Sequence, residues 1–110
     1  MVDMNSKPNI IVLCSNEIKK SEIEEILWGI EEEGLNFFLK FVQDEEIIKK
    51  IYTSNSLEVG IGIKSDRTIK LTSRKYDKDY IFLHRLDEDK NILRNLGSNS
   101  ARLIKGLPLR

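Results

Sequence analysis

Apolar residues along this chain recur with two periods, and each change of period marks the edge of an element. Asn9 to Cys14 is a short, continuous apolar run with β-branched residues, the pattern of a buried strand. From Ser21 to Glu33 the period lengthens. Ile23, Ile26, Leu27 and Ile30 stand at i, i+3, i+4 and i+7, on one stripe of a helix. Ser21-Glu22-Ile23-Glu24 reads as a capping box at its start, and Gly34 supplies the left-handed position at its end. Asn36 to Val42, aromatic and branched, predicts a second strand. Asp44 is placed to cap a second helix carrying Ile47, Ile48 and Ile51, which fades in the polar run 53–56. Leu57–Ile63 and Thr68–Thr72 flank the turn Lys64-Ser65-Asp66-Arg67 and predict a hairpin. Tyr80–Leu83 predicts a fifth strand. Asp87 to Lys105 predicts a last helix with Ile92, Leu93, Leu96, Ser100, Leu103 and Ile104 on one side, stopped by Gly106 and Pro108.

The order is β-α-β-α-β-β-β-α. Two β-α-β units imply parallel strands with helices on both faces, and the hairpin turns the fourth strand antiparallel. The expected fold is a three-layer α/β/α sandwich with a mixed five-stranded sheet. Residues 1–8, polar and ending in Pro8, are expected to be a flexible N-terminal arm, with one α/β domain over 9–110.

Composition narrows the function classes. The chain has 110 residues, 40% hydrophobic and 33% charged, as in a single globular domain. Eighteen basic and eighteen acidic residues cancel, which argues against nucleic-acid binding. No apolar run is long enough to span a bilayer, and the N-terminus lacks the pattern of a secretory signal. One cysteine forms no internal disulfide and suits a reducing compartment, so a cytoplasmic location is expected. One histidine and one cysteine exclude the usual zinc constellations.

Few residues carry candidate chemistry. Val59-Gly60-Ile61-Gly62 lacks a third glycine and is followed by a strand, so it reads as small residues in a packed strand, not a phosphate loop. Cys14 reads as a buried, inert thiol, and His84 has no motif of a catalytic triad around it. No paired acid and base or activated nucleophile appears, so no catalytic residue is assigned. Trp28, in contrast, falls opposite the aliphatic stripe, beside Glu25 and Glu32. An outward Trp ringed by carboxylates is a candidate partner surface. Glu31-Glu32-Glu33 lies at a helix C-terminus, where negative charge opposes the macrodipole. Successive residues point about 100° apart, so the three cannot share one ion. Either they form a solvated helix end, or Glu32 offers one carboxylate to a cation or arginine on another chain. The basic residues Arg94, Arg102, Lys105 and Arg110 leave a similar choice between a favourably charged helix end and a tail that recognises a partner.

Two motifs carry a resemblance. Gly29-Ile-Glu-Glu-Glu-Gly34 is one. The other is a tail built from Arg94, Asn95, Gly97, Asn99, Ala101, Arg102, Leu103, Lys105, Gly106, Pro108 and Arg110. Val59–Ile61 and the Asp66-Arg67 turn also fit. In these positions the chain resembles the small (beta) subunit of the diol/glycerol dehydratase-reactivating factor. Ser100 stands where that family usually has Ala, and 40–56 and 73–90 depart from its pattern. The resemblance implies a fold similar to the dehydratase medium subunit. It implies a non-catalytic subunit of a chaperone-like factor that uses ATP to release damaged cobalamin from inactivated dehydratase, by subunit exchange. The implied partner is a large ATPase subunit, two large with two small, that holds the ATP or ADP. It also implies that Glu32 reaches the partner and joins its magnesium site. Trp28 is not part of the family motif, but with the wheel's Glu25 and Trp28 and the tail's Arg102 the expected partner interface is Glu25, Trp28, Glu32 and Arg102. A bacterial microcompartment is one setting such a system occupies. The alternatives are the medium subunit of an adenosylcobalamin-dependent dehydratase, which shares the first motif and is generally longer at both ends, and a stand-alone interaction domain.

Overall fold

The computed structural model describes residues 10–53, 57–74 and 82–110. The expected arm 1–8, the end of the second helix at 54–56 and the start of the fifth strand at Tyr80 lie outside them. In order, the elements are β1 (Ile10–Ser15), a 3-10 turn (Lys20–Glu22), α1 (Glu24–Glu32), β2 (Phe37–Val42), α2 (Asp44–Ile47) running into a π-helical turn (Ile48–Tyr52), β3 (Val59–Ile63), β4 (Thr68–Thr72), β5 (Phe82–Arg85) and α3 (Lys90–Lys105). The sheet order is β2-β1-β3-β4-β5. β1 pairs parallel with both β2 and β3, and β4 pairs antiparallel with β3 and β5. The predicted α/β sandwich with a mixed five-stranded sheet is the fold observed.

Alternation along each strand divides the residues between two faces. Ile10, Val12 and Cys14 of β1, Val59, Ile61 and Ile63 of β3, and Ile69 and Leu71 of β4 point to the face covered by α1 and α3. There they meet Ile26, Ile30, Leu93 and Leu96 in the main core. Leu13 points the other way and meets Ile47 and Ile51 in a smaller core with Val42. Gly60 and Gly62 share this second face. A Cβ at Gly62 would stand 2.8 Å from Ile47 and 3.1 Å from Ile51, so the bare strand lets α2 lie directly on the sheet.

The first helix starts later than the capping box predicts. Ser21 is inside the 3-10 turn, and the carboxylate that reaches back is Glu22, accepting from Lys19 N at 3.0 Å. Arg67 holds the other oxygen of Glu22 at 2.9 Å. A tertiary partner thus competes with the local cap. The same holds for Asp44. It is the first helical residue, and its carboxylate is taken by Ser65 N (3.0 Å) and Oγ (2.5 Å) in the β3–β4 turn. The last helix starts at Lys90, where Asp89 accepts from Asn91 N at 2.7 Å. Ile92, expected on its apolar side, is exposed. Gly34 and Gly106 adopt positive φ (79° and 71°) and close α1 and α3 as predicted.

The second helix departs most. From Ile48 to Tyr52 it widens to a π turn, with Thr53 N donating to Ile48 O at 2.8 Å. Lys70, buried on β4, donates through Nζ to the Tyr52 carbonyl at 2.9 Å and lies over its ring. Ile48, expected on the apolar side, is exposed.

Candidate partner interface

The contact between α1 and α3 positions everything that follows. Gly29 and Gly97 let the two helices touch backbone to backbone. A Cβ on Gly29 would fall 2.1 Å from Arg94 O, and one on Gly97 would fall 1.9 Å from Ile26 O. Glycine inside a helix costs about 1 kcal/mol against alanine, and here the close approach accounts for it.

This approach sets the α3 side chains across α1. Glu25, Trp28 and Glu32 form one stripe at i, i+3 and i+7, and Arg94 reaches over it. Its Nε donates to Glu25 Oε1 at 3.0 Å, and its NH2 lies 3.0 Å from the same oxygen. Its NH1 donates to Glu32 Oε2 at 2.9 Å. The guanidinium carbon stands 5.4 Å from the centre of the Trp28 ring, within cation–π range. Trp28 is 42% exposed, on the outward side that the wheel predicts. A groove of about 360 Å³ continues from Trp28 past Glu22, Glu24 and Glu88, with Arg67 and Lys90 on its walls.

The three glutamates have three environments. Glu31 is exposed. The Glu32 side chain is about half exposed and bonded only through Oε2 among the described residues. Glu33, for which a solvated helix end is one of the two readings, is nine-tenths enclosed. Its Oε2 accepts from Ser98 Oγ at 2.5 Å and from Arg102 Nε at 3.0 Å, and Lys105 Nζ donates to its backbone carbonyl at 2.6 Å. The Ser98 hydroxyl, then the Arg102 guanidinium, hold its carboxyl below the usual range. A lysine and an arginine at the joint also relieve the dipole conflict of an acidic helix end.

Arg102, expected at the partner interface, is engaged within its own chain. Besides Glu33 it binds the Pro108 carbonyl through NH1 at 2.9 Å. Asn99 accepts from Arg110 N at 2.7 Å and donates to Arg110 O at 3.4 Å. The tail therefore folds back along α3 and exposes Leu107 and Leu109.

The remaining candidates have structural roles. Cys14 is fully buried, and burial pushes its thiol up to about 12. His84 Nδ1 lies 2.9 Å from Glu88 Oε1, and the same oxygen accepts from Arg85 N at 2.7 Å. That carboxylate closes a turn, and Thr68, Leu83 and Arg85 line the cleft beside it. Among the described residues no group of three or more His, Cys, Asp or Glu is placed to hold a metal ion. Among the same residues no helix is long and apolar enough to cross a membrane.

Sequence reasoning named Arg94 but missed its reach across α1, and it missed the close approach at Gly29 and Gly97. A glycine in mid-helix was the available signal for the close approach. Nothing local indicates that Arg94 faces a stripe more than sixty positions earlier.

Residues 7–110 match the family described as the dehydratase medium subunit. The chain is 32% identical over 109 residues to the propanediol dehydratase-reactivating factor small subunit of Salmonella typhimurium, covering 96% of this chain and 93% of that protein. It is 34% identical over 89 residues to the diol dehydratase-reactivating factor small subunit of Klebsiella michiganensis, covering 78% of this chain and 71% of that one. Among solved structures it matches a chain of the diol dehydratase-reactivating factor complexed with ADP and Mg2+. The TM-score is 0.77 at 28% identity, over 96% of this chain and 99% of the other. A glycerol dehydratase reactivase chain shares the fold, with a TM-score of 0.74 at 23% identity, over 94% and 97%.

Proposed function

The chain belongs to the dehydratase medium-subunit family, among the small subunits of dehydratase-reactivating factors, and we propose that it serves as the non-catalytic subunit of such a factor, docking a large ATPase subunit through α1. Small subunits imply a larger one. In this reading the large subunit binds and turns over the nucleotide. The assembled factor, two large and two small subunits in the cytoplasm, releases damaged cobalamin from inactivated diol or glycerol dehydratase by exchanging this subunit for part of the dehydratase.

The observation that carries the reading is the stripe of the part-buried Glu25 with the exposed Trp28 and Glu32, on the element that ends in Gly29–Gly34. A half-exposed Trp beside charged groups is the composition of an interface hot spot. Magnesium keeps several waters and takes one or two carboxylates from protein, so a single oxygen from Glu32 is a sufficient share of a site completed by the partner. When bound, the ion supplies a positive centre that bridges the subunits and neutralises phosphate charge. The related factor complexed with ADP and Mg2+ supports the ion's presence in such an assembly. Arg102 takes part by holding the tail against α3.

The test is co-purification with the large subunit, followed by affinity measured with magnesium and with chelator. Glu32→Gln is expected to lose the magnesium-dependent gain and keep the fold, and an unchanged gain overturns the ligand role. The family description supports a second reading, the medium subunit of a cobalamin-dependent dehydratase. Co-purification with two dehydratase subunits in place of an ATPase would select it, and purification alone would select a stand-alone interaction domain.

A further inference from the structure

We propose that Arg94 is a positioning residue for Glu32, and that Glu25 keeps it in that role. The inference rests on the reading of Glu32 as a shared magnesium ligand and adds what makes its carboxylate available. A guanidinium carries five N–H donors in a planar fork, and its favoured partner geometry is a bidentate carboxylate pair. A free arginine facing Glu32 would bond both oxygens, and an ion would then find neither of them unengaged. Here the Nε and NH2 edge is already held at Glu25 Oε1, at 3.0 Å from each nitrogen. NH1 is what reaches Glu32, and it bonds only Oε2, at 2.9 Å.

The Trp28 ring, 5.4 Å below the guanidinium carbon, fixes the plane of the fork. The base of the side chain is fixed as well, because the Arg94 carbonyl sits against Gly29, where a Cβ would come within 2.1 Å. The result is a carboxylate aimed by one hydrogen bond, with Oε1 open to a cation. Two carboxylates against one guanidinium leave a net negative charge, which favours the approach of a positive ion. Outer-shell hydrogen bonds of this kind orient metal-bound carboxylates, and losing one typically costs about 10–100-fold in metal affinity.

The experiment uses the full chain and its large subunit, and reads the ratio of the Kd in chelator to the Kd in magnesium. Glu32→Gln should bring the ratio to one. Glu25→Ala, which removes the acceptor that holds the Nε and NH2 edge and frees the guanidinium to turn onto both oxygens of Glu32, should lower the ratio about tenfold. Arg94→Gln should do the same, and Arg94→Lys, which keeps the charge and loses the fork, gives the answer if Arg94→Gln folds poorly. Equal weakening with and without magnesium in the Glu25 and Arg94 variants would make Arg94 a plain cross-link between the helices. That outcome overturns this inference and leaves the ligand reading of Glu32 intact. An undiminished ratio in Glu32→Gln overturns both.

Discussion

The two faces of the sheet are built on different terms. On one, α1 and α3 meet through their backbones, and each glycine of the pair faces a peptide group of the other helix. On the other, α2 and its π turn rest on the bare strand of Gly60 and Gly62 through the side chains of Ile47 and Ile51. Side chains can shift rotamer, whereas a helix backbone moves only as a whole. The first face is therefore the rigid one, and it carries Glu25, Trp28, Glu32 and Arg94. The second tolerates an irregular helix.

Substitution at the glycines breaks or sharpens this contrast most strongly. Gly97→Ala places a methyl 1.9 Å from Ile26 O and forces the helices apart, at an expected cost of about 3 kcal/mol or more, far beyond the gain of about 1 kcal/mol in helix propensity. Gly62→Ala meets only side chains and should cost about 1–2 kcal/mol. Urea unfolding of both variants gives the ranking, and equal losses would mean that the faces are equally rigid.

Glu33→Gln comes next. It weakens two charge-assisted hydrogen bonds in a nearly enclosed site, at about 1–2 kcal/mol, while Glu31→Gln should stay within about 0.5 kcal/mol. The sign of its pH dependence follows from its partners. The folded carboxyl is held below its unfolded value of about 4.3, so its contribution is present above that pH and fades as pH falls through the folded value. Stability measured from neutral pH into the acid range should fall, and Glu33→Gln should flatten part of the fall. A slope identical in both proteins would show that Glu33 does not drive it. Trp28→Ala should have a smaller effect on the free chain, about 1 kcal/mol, since the half-exposed ring stands over the surface against Arg94. A loss comparable to that of Gly97→Ala would return Trp28 to the core.

Much of the fold was legible because alternation and helical spacing report burial directly. β4 at Thr68–Thr72 and both helix-ending glycines stand where the pattern placed them. Misreadings arose where a residue distant in sequence outbid a local signal. Ser21 and Asp44 look like caps, yet Arg67 draws the first turn to Glu22, and Ser65 takes the Asp44 carboxylate. The π turn is invisible in spacing alone, and the Tyr52 carbonyl at its end is matched by Lys70, eighteen positions later. At the candidate site, the outward position of Trp28 and Glu32 was legible from the wheel. The burial of Glu33 was not, because Ser98 and Arg102 arrive from a helix whose placement the chain alone does not give.

The glycine contact also limits how this protein can drift over evolutionary time. Crowding between two side chains can be repaired by trimming either one, and such pairs exchange size across a lineage. Here the obstacle to a Cβ at Gly29 is the Arg94 carbonyl and the Ser98 amide, and at Gly97 it is the Ile26 carbonyl. Every amino acid carries those groups, so no replacement at 26, 94 or 98 makes room. The two positions have no compensating partners. A lineage can leave them only by moving α1 relative to α3, and with it the stripe that Arg94 spans.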